Sequence, residues 1–249
     1  MAVFGKSNKL FNLPFSQVRI FQKSPLGLLW YVFSRIVIGA FAAAVLLIFT
    51  LRYINPPTST EMLRHSLLGG KVSHEWVDIE KISPHLIRAV IMSEDGQYCR
   101  HNGIDWRQVE KAWQEALEGA KKPRGASTIT MQTAKNLFLW ADRSYIRKGL
   151  ELPMAYMMNL MWSKRRQIEI YLNIVEWAPG VYGARAAARH HFKRKPHQLT
   201  ATQAARLAAA LPNPIVRRAG RPGPYTRKIA SIIKKRMANA SPWVKCVIN

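Results

Sequence analysis

The sequence predicts a mainly α-helical domain preceded by one transmembrane helix. An unbroken apolar or neutral run of 16 residues lies near the N-terminus, at 36–51. Elsewhere apolar residues recur at intervals of three and four, and no alternating strand pattern of any length occurs. The 249 residues suffice for one compact domain with its own core and a short accessory segment.

The transmembrane prediction covers residues 26–52, where Arg35 is the only charged residue before Arg52. About 20 residues cross a bilayer core, and an arginine near one end can extend its head group to the interface. Segment 1–25 is basic and contains no acidic residue, which predicts a cytoplasmic N-terminus and an extracytoplasmic remainder. A cleaved signal peptide is the alternative, but no clear small-x-small cleavage site follows the apolar run.

The charge balance predicts an anionic partner. Lys and Arg number 38 against 14 Asp and Glu, a formal net charge of +24. Nucleic acid, an anionic membrane surface and a diphosphate all fit this excess. An extracytoplasmic domain rarely meets nucleic acid, so lipid head groups and lipid diphosphates are the expected partners and nucleic acid is not.

Cys99 and Cys246 are the only cysteines, far apart and in no CxxC arrangement. This spacing suggests neither a zinc site nor a disulfide framework.

Helices are predicted along the whole domain. Pro84 suits the first turn of a helix over 85–93, and Asp105 suits the cap of a helix over 106–120. Helical patterns then cover 127–139, 145–162, 164–174, 183–192 and 200–211. Pro153 is expected to kink or end the helix that contains it. The methionine-rich stretch 154–162 has two open interpretations, a core face or a lipid-facing stripe.

The segment 93–105 is dense in ionisable groups. Glu94 follows the apolar face of a helix, so partial desolvation would raise its pKa toward the range useful to a general base. The simpler alternative is that Glu94 and Asp95 only cap and solvate a helix end.

Three further segments carry polar and basic residues close together. Ser127 and Thr128 at a helix start would suit an anionic or sugar oxygen, although an ordinary capped helix has the same pattern. Arg147 and Glu151 form an i,i+4 pair, for which a surface ion pair is the simplest interpretation. The residues of interest in these segments are Ser127, Thr128, Gln132, Lys135 and Asn136; Arg147, Lys148 and Glu151; and Glu169, Tyr171 and Asn173.

In this order and spacing, the four segments resemble the glycosyltransferase family 51 domain, the peptidoglycan polymerase module, from about residue 76 to residue 214. The matching signatures are Glu94, Asp95, Tyr98, His101, Gly103 and Asp105; Gly125, Ser127, Thr128, Thr130, Gln132, Lys135 and Asn136; Arg147, Lys148 and Glu151; and Glu169, Tyr171, Leu172 and Asn173. The chain most resembles the monofunctional form. The SxxK spacing at 231–234 is attributed to chance, because no KTG follows it.

Three positions depart from the family pattern. Met131 replaces the first glutamine of a QQ pair, which predicts loss or redistribution of a sugar contact. Tyr98 stands where phenylalanine is usual. Pro153 lies where the family continues a helix and could alter how Glu151 is presented.

The resemblance implies a lysozyme-like helical glycosyltransferase domain, and with it a domain plan. The plan is a cytoplasmic segment 1–25, a transmembrane helix 26–52, a membrane-proximal linker 53–75, a catalytic domain 76–240 and a tail 241–249. It places the protein in the bacterial inner membrane, single-pass, with the catalytic domain in the periplasm.

The resemblance also implies polymerisation of lipid II into glycan strands by inverting glycosyl transfer, with release of undecaprenyl diphosphate. Glu94 would be the general base, and Glu151 would orient the basic residues or assist the leaving group. Substrate or diphosphate binding falls to Asp95, His101, Ser127, Thr128, Gln132, Lys135, Asn136, Arg147 and Lys148. Glu169, Tyr171 and Asn173 form a structural motif.

No cofactor is required with certainty, and Mg²⁺ or Mn²⁺ near Asp95 is left open. The implied partners are lipid II, the undecaprenyl-diphosphate-linked strand, membrane lipids, and proteins of cell-wall synthesis or the divisome. Two rival functions are a lytic glycosidase with a glutamate as general acid, and a scaffold without activity.

Overall fold

A computed structural model of the chain describes residues 25–119, 125–141 and 144–248. Two compact units are distinguished, Met1–Phe49 and Thr50–Asn249. Helix α1 (Pro25–Leu51) has a mean hydropathy of 2.4 and is long and apolar enough to cross a membrane, by length and composition. The predicted cytoplasmic segment lies, up to residue 24, outside the described residues.

The second unit is helical, as predicted. Its helices are α2 (Thr60–Leu67), α3 (Pro84–Glu94), α4 (Trp106–Leu117), α5 (Ile129–Phe138), α6 (Tyr145–Met161), α7 (Lys164–Ile174), α8 (Gly183–Phe192), α9 (Ala201–Ala210), α10 (Pro224–Ala238) and α11 (Ser241–Val244). Strands β1 (Ser73–His74), β2 (Glu176–Ala178) and β3 (Val181–Tyr182) form a small sheet in the order β1-β3-β2. Strand β3 is parallel to β1 and antiparallel to β2. The strands are too short to show an alternating pattern in the sequence.

Side-chain caps explain where most of these helices begin. In each case a side-chain oxygen accepts a hydrogen bond from a backbone N–H in the first turn, which stabilises a helix by about 1 kcal/mol. Asp105 caps α4 in this way, as predicted, with Gln108 N at 3.1 Å. The other capping residues include Ser59, Ser83, Thr128, Ser144, Ser163 and Thr200.

The predicted helix over 145–162 is present, but it does not end at Pro153. Helix α6 runs through this residue to Met161, so the boundary interpretation is wrong. Proline lacks the N–H that would bond to the carbonyl of Gly149 four residues earlier. Packing of α6 against α5 carries the helix past this lost bond.

The core is organised around two groups of helices. Helix α9 packs on α3 and α10, and its alanines let the helix axes approach closely. Helix α5 packs on α6 and α7.

The methionine-rich stretch 154–162 has both buried and exposed side chains. Met158 and Trp162 are buried in the core, whereas Leu160 is 66% exposed.

Met131 belongs to a small core cluster with Ile104 and Ala155 and is only 1% exposed. Its neighbour Gln132 is partly exposed, because consecutive helical residues point about 100° apart. The replacement at position 131 therefore affects packing. A lost sugar contact, which the sequence suggested, does not follow from it.

Cys99 and Cys246 form a disulfide with a Cα–Cα distance of 5.6 Å. The expectation that these cysteines make no disulfide was wrong. They lie 147 residues apart in the chain, and only the return of the C-terminal segment onto the 3₁₀ helix Tyr98–Arg100 brings them together.

We expect the double variant Cys99→Ser/Cys246→Ser to lose about 2–4 kcal/mol of the free energy of unfolding, because the crosslink closes a long loop in the unfolded chain. Denaturant titration of the full chain in detergent measures this change. Reduced wild type should match the double variant. An unchanged midpoint would show that the crosslink does not contribute to stability.

Candidate active site

A cleft of about 530 Å³ opens where the C-terminus of α3 meets the N-terminus of α5. Both predicted acidic residues, Glu94 and Asp95, line it, and so do Ser127 and Thr128 from the start of α5. Residues that are 33 positions apart in sequence therefore share one cleft.

Glu94 is the last residue of α3 and is partly buried in the cleft wall. Its carboxylate accepts hydrogen bonds from Gln132 Nε2 at 3.2 Å and from Ser93 Oγ at 3.3 Å. Burial raises the pKa of Glu94, and the two hydrogen bonds oppose the rise only in part. A carboxylate with a raised pKa that lines an open cleft is suited to accept a proton near neutral pH.

Tyr171 determines which way the Gln132 amide points. The Tyr171 hydroxyl donates to Gln132 Oε1 at 2.9 Å, which leaves the NH₂ group of Gln132 to face Glu94. Burial holds the pKa of Tyr171 well above its usual range, so the hydroxyl keeps its proton and stays a donor. Tyr171 thus acts on the site through Gln132.

Asp95 has a different environment from its neighbour. It is 7% exposed, and both its oxygens lie about 3 Å from His101 Nε2, at 2.9 and 3.0 Å. One of them also accepts from the backbone N–H of Ile129 at 3.0 Å. A carboxylate only accepts, so His101 Nε2 carries the proton. Asp95 and His101 join the end of α3 to the start of α5.

Gly103 completes this junction. Its φ of 85° favours glycine, and an added Cβ would lie 2.8 Å from the carbonyl oxygen of Ala155. The Gly103 carbonyl in turn accepts from Thr128 Oγ1 at 2.6 Å, while Thr128 Oγ1 accepts from Met131 N at 3.1 Å. Thr128 is thereby fully engaged as a helix cap, and the adjacent Ser127 is the more accessible hydroxyl.

A cluster of basic residues adjoins Ser127. Lys148 Nζ donates to Ser127 Oγ at 2.7 Å and to Glu151 Oε2 at 2.6 Å. Arg147 forms an ion pair with the other oxygen of Glu151, whose side chain is 3% exposed. The Lys135 charge is close enough to lower the pKa of Lys148. With one carboxylate against three cations, the cluster keeps a net positive charge.

The pKa of Lys148 is lowered to about 8, mainly because the ammonium is desolvated and next because of the Arg147 and Lys135 charges. The ammonium therefore loses its proton in a pH range that an activity assay can reach.

A second hollow of about 270 Å³ is lined in part by Gln132. Lys135, Asn136 and Tyr171 line it together with Gln132. Gln132 thus reaches both the Glu94 carboxylate and this second hollow.

Glu169 and Asn173 lie outside both hollows and hold the domain together. Asn173 bonds to the N–H and the carbonyl of Val77, each at 2.9 Å. Glu169 accepts from Ile79 N and from Arg166, whose guanidinium also donates to the carbonyls of Leu51 and Ile54. The structural role that the resemblance implied for Glu169, Tyr171 and Asn173 stays a prediction, and Tyr171 differs from the other two in lining the second hollow. Tyr98, the mild departure from phenylalanine, uses its extra hydroxyl to donate to Lys164 O at 2.8 Å.

The residues that the sequence pattern missed include two arginines and a tryptophan. Arg217 is close enough for its charge to lower the pKa of Glu94 in part. Arg236 and Trp243 line the cleft opposite the family segments. Helices α10 and α11, which carry Arg236 and Trp243, were not predicted, so no local signal pointed to them.

The residues around Asp95 fit a divalent metal poorly. The Asp95 oxygens are already occupied by His101 and Ile129 N. Among the described residues, no group of three or more His, Cys, Asp or Glu side chains could hold a metal ion. A metal at Asp95 stays a prediction, and no step proposed below depends on it.

The chain is similar in sequence to a known protein family and to several of its members. The family model described as Transglycosylase matches residues 60–238. The biosynthetic peptidoglycan transglycosylase of Rhizobium etli is 49% identical over 222 residues, which cover 87% of this chain and 94% of that protein. The protein of the same name from Brucella suis is 48% identical, with 85% and 94% covered, and that of Agrobacterium fabrum is 50% identical, with 81% and 88% covered. The chain therefore belongs to the transglycosylase family, glycosyltransferase family 51.

Proposed function

We propose that this chain is a peptidoglycan glycosyltransferase that polymerises lipid II into glycan strands. One observation carries the proposal: the Glu94 carboxylate, with its raised pKa, shares a cleft with Ser127, to which the Lys148 ammonium donates. A base and a cation cluster side by side suit transfer of a sugar from a diphosphate leaving group.

In the proposed step, Glu94 takes the proton of the acceptor sugar's 4-hydroxyl. The hydroxyl oxygen bonds to the anomeric carbon of the donor as the bond from that carbon to the diphosphate oxygen breaks. Attack from the face opposite the leaving group inverts the configuration, with oxocarbenium character at the carbon. Gln132, oriented by Tyr171, holds the Glu94 carboxylate in place.

The leaving group, undecaprenyl diphosphate, departs as an anion and needs positive charge more than a proton. The net positive cluster of Lys135, Arg147 and Lys148 supplies it. The Ser127 hydroxyl, which accepts from Lys148, can in turn donate a hydrogen bond to a phosphate or sugar oxygen. Asn136 lines the second hollow and would contact the substrate there.

Glu151 is assigned as a positioning residue. Its side chain is 3% exposed and both oxygens are engaged, one by Arg147 and one by Lys148. A carboxylate so placed holds the two cations in a fixed arrangement and has no free oxygen for the substrate. Of the two roles open from the sequence, the contacts favour orientation of the basic residues.

The second hollow supports a reaction with two large substrates. Strand growth requires the growing glycan and an incoming lipid II at the same time. Gln132 lines the hollow beside Lys135 and donates to Glu94, which lines the cleft, so this one side chain connects the two spaces. Each offers space for one substrate next to the reacting groups.

A membrane location with the catalytic domain in the periplasm accounts for three features. Helix α1 is long and apolar enough to span a bilayer. The Cys99–Cys246 disulfide is typical of an oxidising compartment. Helix α4 exposes Trp106, Trp113 and Leu117, each more than 60%, an apolar face that would contact membrane lipids. Cell-wall synthesis and divisome proteins stay predicted partners.

Glu94→Gln should lower the rate of polymerisation of labelled lipid II by about 10²–10⁴-fold, because the amide cannot accept the proton. Gel analysis of the glycan product measures the loss, and binding of lipid II should persist. Glu118→Gln, an exposed carboxylate at the end of α4 and away from its tryptophan face, is the matched control. Near-normal glycan from Glu94→Gln would rule out this base, and shortened glycan from the wild type would favour a lytic glycosidase.

The rate should depend on pH at both ends. Glu94 must be ionised to act as a base, so kcat/KM should fall as pH decreases through its raised pKa. Lys148 must be protonated, so kcat/KM should fall again as pH rises through about 8. Lys148→Arg should move only the alkaline limb to higher pH, since arginine stays charged.

Lys164 is the control for this assignment, because its pKa is also lowered to about 8 by burial. Lys164→Arg should leave the alkaline limb in place. If Lys164→Arg moves the alkaline limb and Lys148→Arg does not, the limb reports the titration of Lys164.

Fusion of alkaline phosphatase to the C-terminus should give an active reporter in bacterial cells, because that enzyme folds only outside the cytoplasm. Fusion of green fluorescent protein at the same position should stay dark. Fluorescence there would place the domain in the cytoplasm and make a nucleic-acid partner plausible again.

A further inference from the structure

We propose that Trp243 contacts the substrate in the cleft through its indole ring, against a sugar ring of the glycan, and that the Cys99–Cys246 disulfide holds it in position. The inference rests on the proposed glycosyl transfer and adds a binding residue to it. Residue 243 lies beyond the residues 60–238 that the family model matches, so family membership assigns it no role.

Trp243 lines the same cleft as Glu94, Asp95 and Ser127. Arg236, from the last turn of α10, lies in the same wall and is exposed. An indole offers a broad apolar face for the C–H groups of a sugar ring and one N–H donor for a hydroxyl. An aromatic ring beside polar and charged groups suits a sugar, which has both apolar C–H faces and polar hydroxyls.

The exposure of Trp243 separates it from the structural tryptophans of the domain. Trp162 and Trp177 are buried in the core, at 3% and 1% exposure. Trp243 is only partly buried, so part of its ring faces the cleft. Packing alone does not require an aromatic ring at the edge of the cleft.

Arg100 fixes the ring from one side. Its guanidinium lies 3.9 Å from the centroid of the Trp243 ring, a cation–π contact. Arg100 belongs to the 3₁₀ helix Tyr98–Arg100, which follows the Glu94–Asp95 pair. One face of the ring is therefore covered by Arg100, and the part of the ring that lines the cleft is the surface for a ligand.

The disulfide fixes the segment that carries the ring. Helix α11 has only four residues and cannot be stable by itself. Val244 and Val247 bury their side chains in the main core, and Arg165 Nη1 donates to the Val247 carbonyl at 2.8 Å. Cys99, the residue before Arg100, is bonded to Cys246. The adjacent residues Cys99 and Arg100 thus form the crosslink and the cation–π contact. The crosslink keeps the Trp243 ring beside the Arg100 guanidinium.

The test is polymerisation of labelled lipid II by the full chain in detergent, with kcat and KM measured separately. Trp243→Ala should raise KM about tenfold, equivalent to about 1.4 kcal/mol of binding, and leave kcat within about threefold. Trp243→Phe keeps an aromatic face and should restore KM to within about threefold. Lys245→Ala, an exposed residue of the same segment outside the cleft lining, is the matched control.

A double-mutant cycle tests the role of the disulfide. Cys99→Ser/Cys246→Ser should raise KM by a similar factor, measured where circular dichroism shows the protein fully folded. Adding Trp243→Ala to that background should raise KM no further, because the crosslink acts through the ring. Wild type reduced with dithiothreitol should behave like the double variant.

Two results would overturn the proposal. An unchanged KM in folded Trp243→Ala excludes the sugar contact, and fully additive effects in the cycle exclude positioning by the disulfide. Fluorescence anisotropy of labelled lipid II with catalytically inactive Glu94→Gln, with and without Trp243→Ala, gives a second readout. If the wild type makes no polymer, the proposed function fails. The binding measurement still tests the contact: equal lipid II affinities with and without Trp243→Ala would reject it, and a tenfold difference would support it.

Discussion

The buried Asp95 carboxylate is the contact on which the site depends. It joins the end of α3 to the start of α5 through His101 and the backbone of Ile129. A buried carboxylate is stable only when its oxygens are satisfied, so these three partners must come together when the domain folds. Once they do, Glu94 and Ser127 necessarily line the same cleft. The catalytic arrangement is therefore a consequence of a structural bond.

Two adjacent carboxylates consequently have different surroundings. Asp95 is saturated with hydrogen bonds and serves the fold, whereas Glu94 accepts two weak hydrogen bonds and remains in contact with the cleft. Desolvation without strong compensation raises the pKa of Glu94, which suits a base. A buried carboxylate also organises the basic residues. Glu151 pairs with both Arg147 and Lys148 and keeps these two positively charged side chains close together.

The cleft has one wall from the family segments and another from the C-terminal residues. The first supplies the reacting groups. The second is attached by the Cys99–Cys246 crosslink and by burial of Val244 and Val247. The crosslink and the buried valines keep this second wall in a fixed position beside the reacting groups. This view explains why a short helix with little intrinsic stability carries a tryptophan beside the site.

The sequence by itself determined the helical class, the apolar span, most helix starts and the family, and it predicted the candidate site residues that line the cleft. These depend on local chemistry: caps such as Asp105 and Thr128, helical periodicity, and signature residues close together in the chain. Only the tertiary structure decided the pairing of Cys99 with Cys246, the burial of Met131 and Glu151, and the presence of Trp243 in the cleft. Each of these depends on which helix faces meet, and contacts between residues up to 147 positions apart leave no periodic or local trace in the sequence.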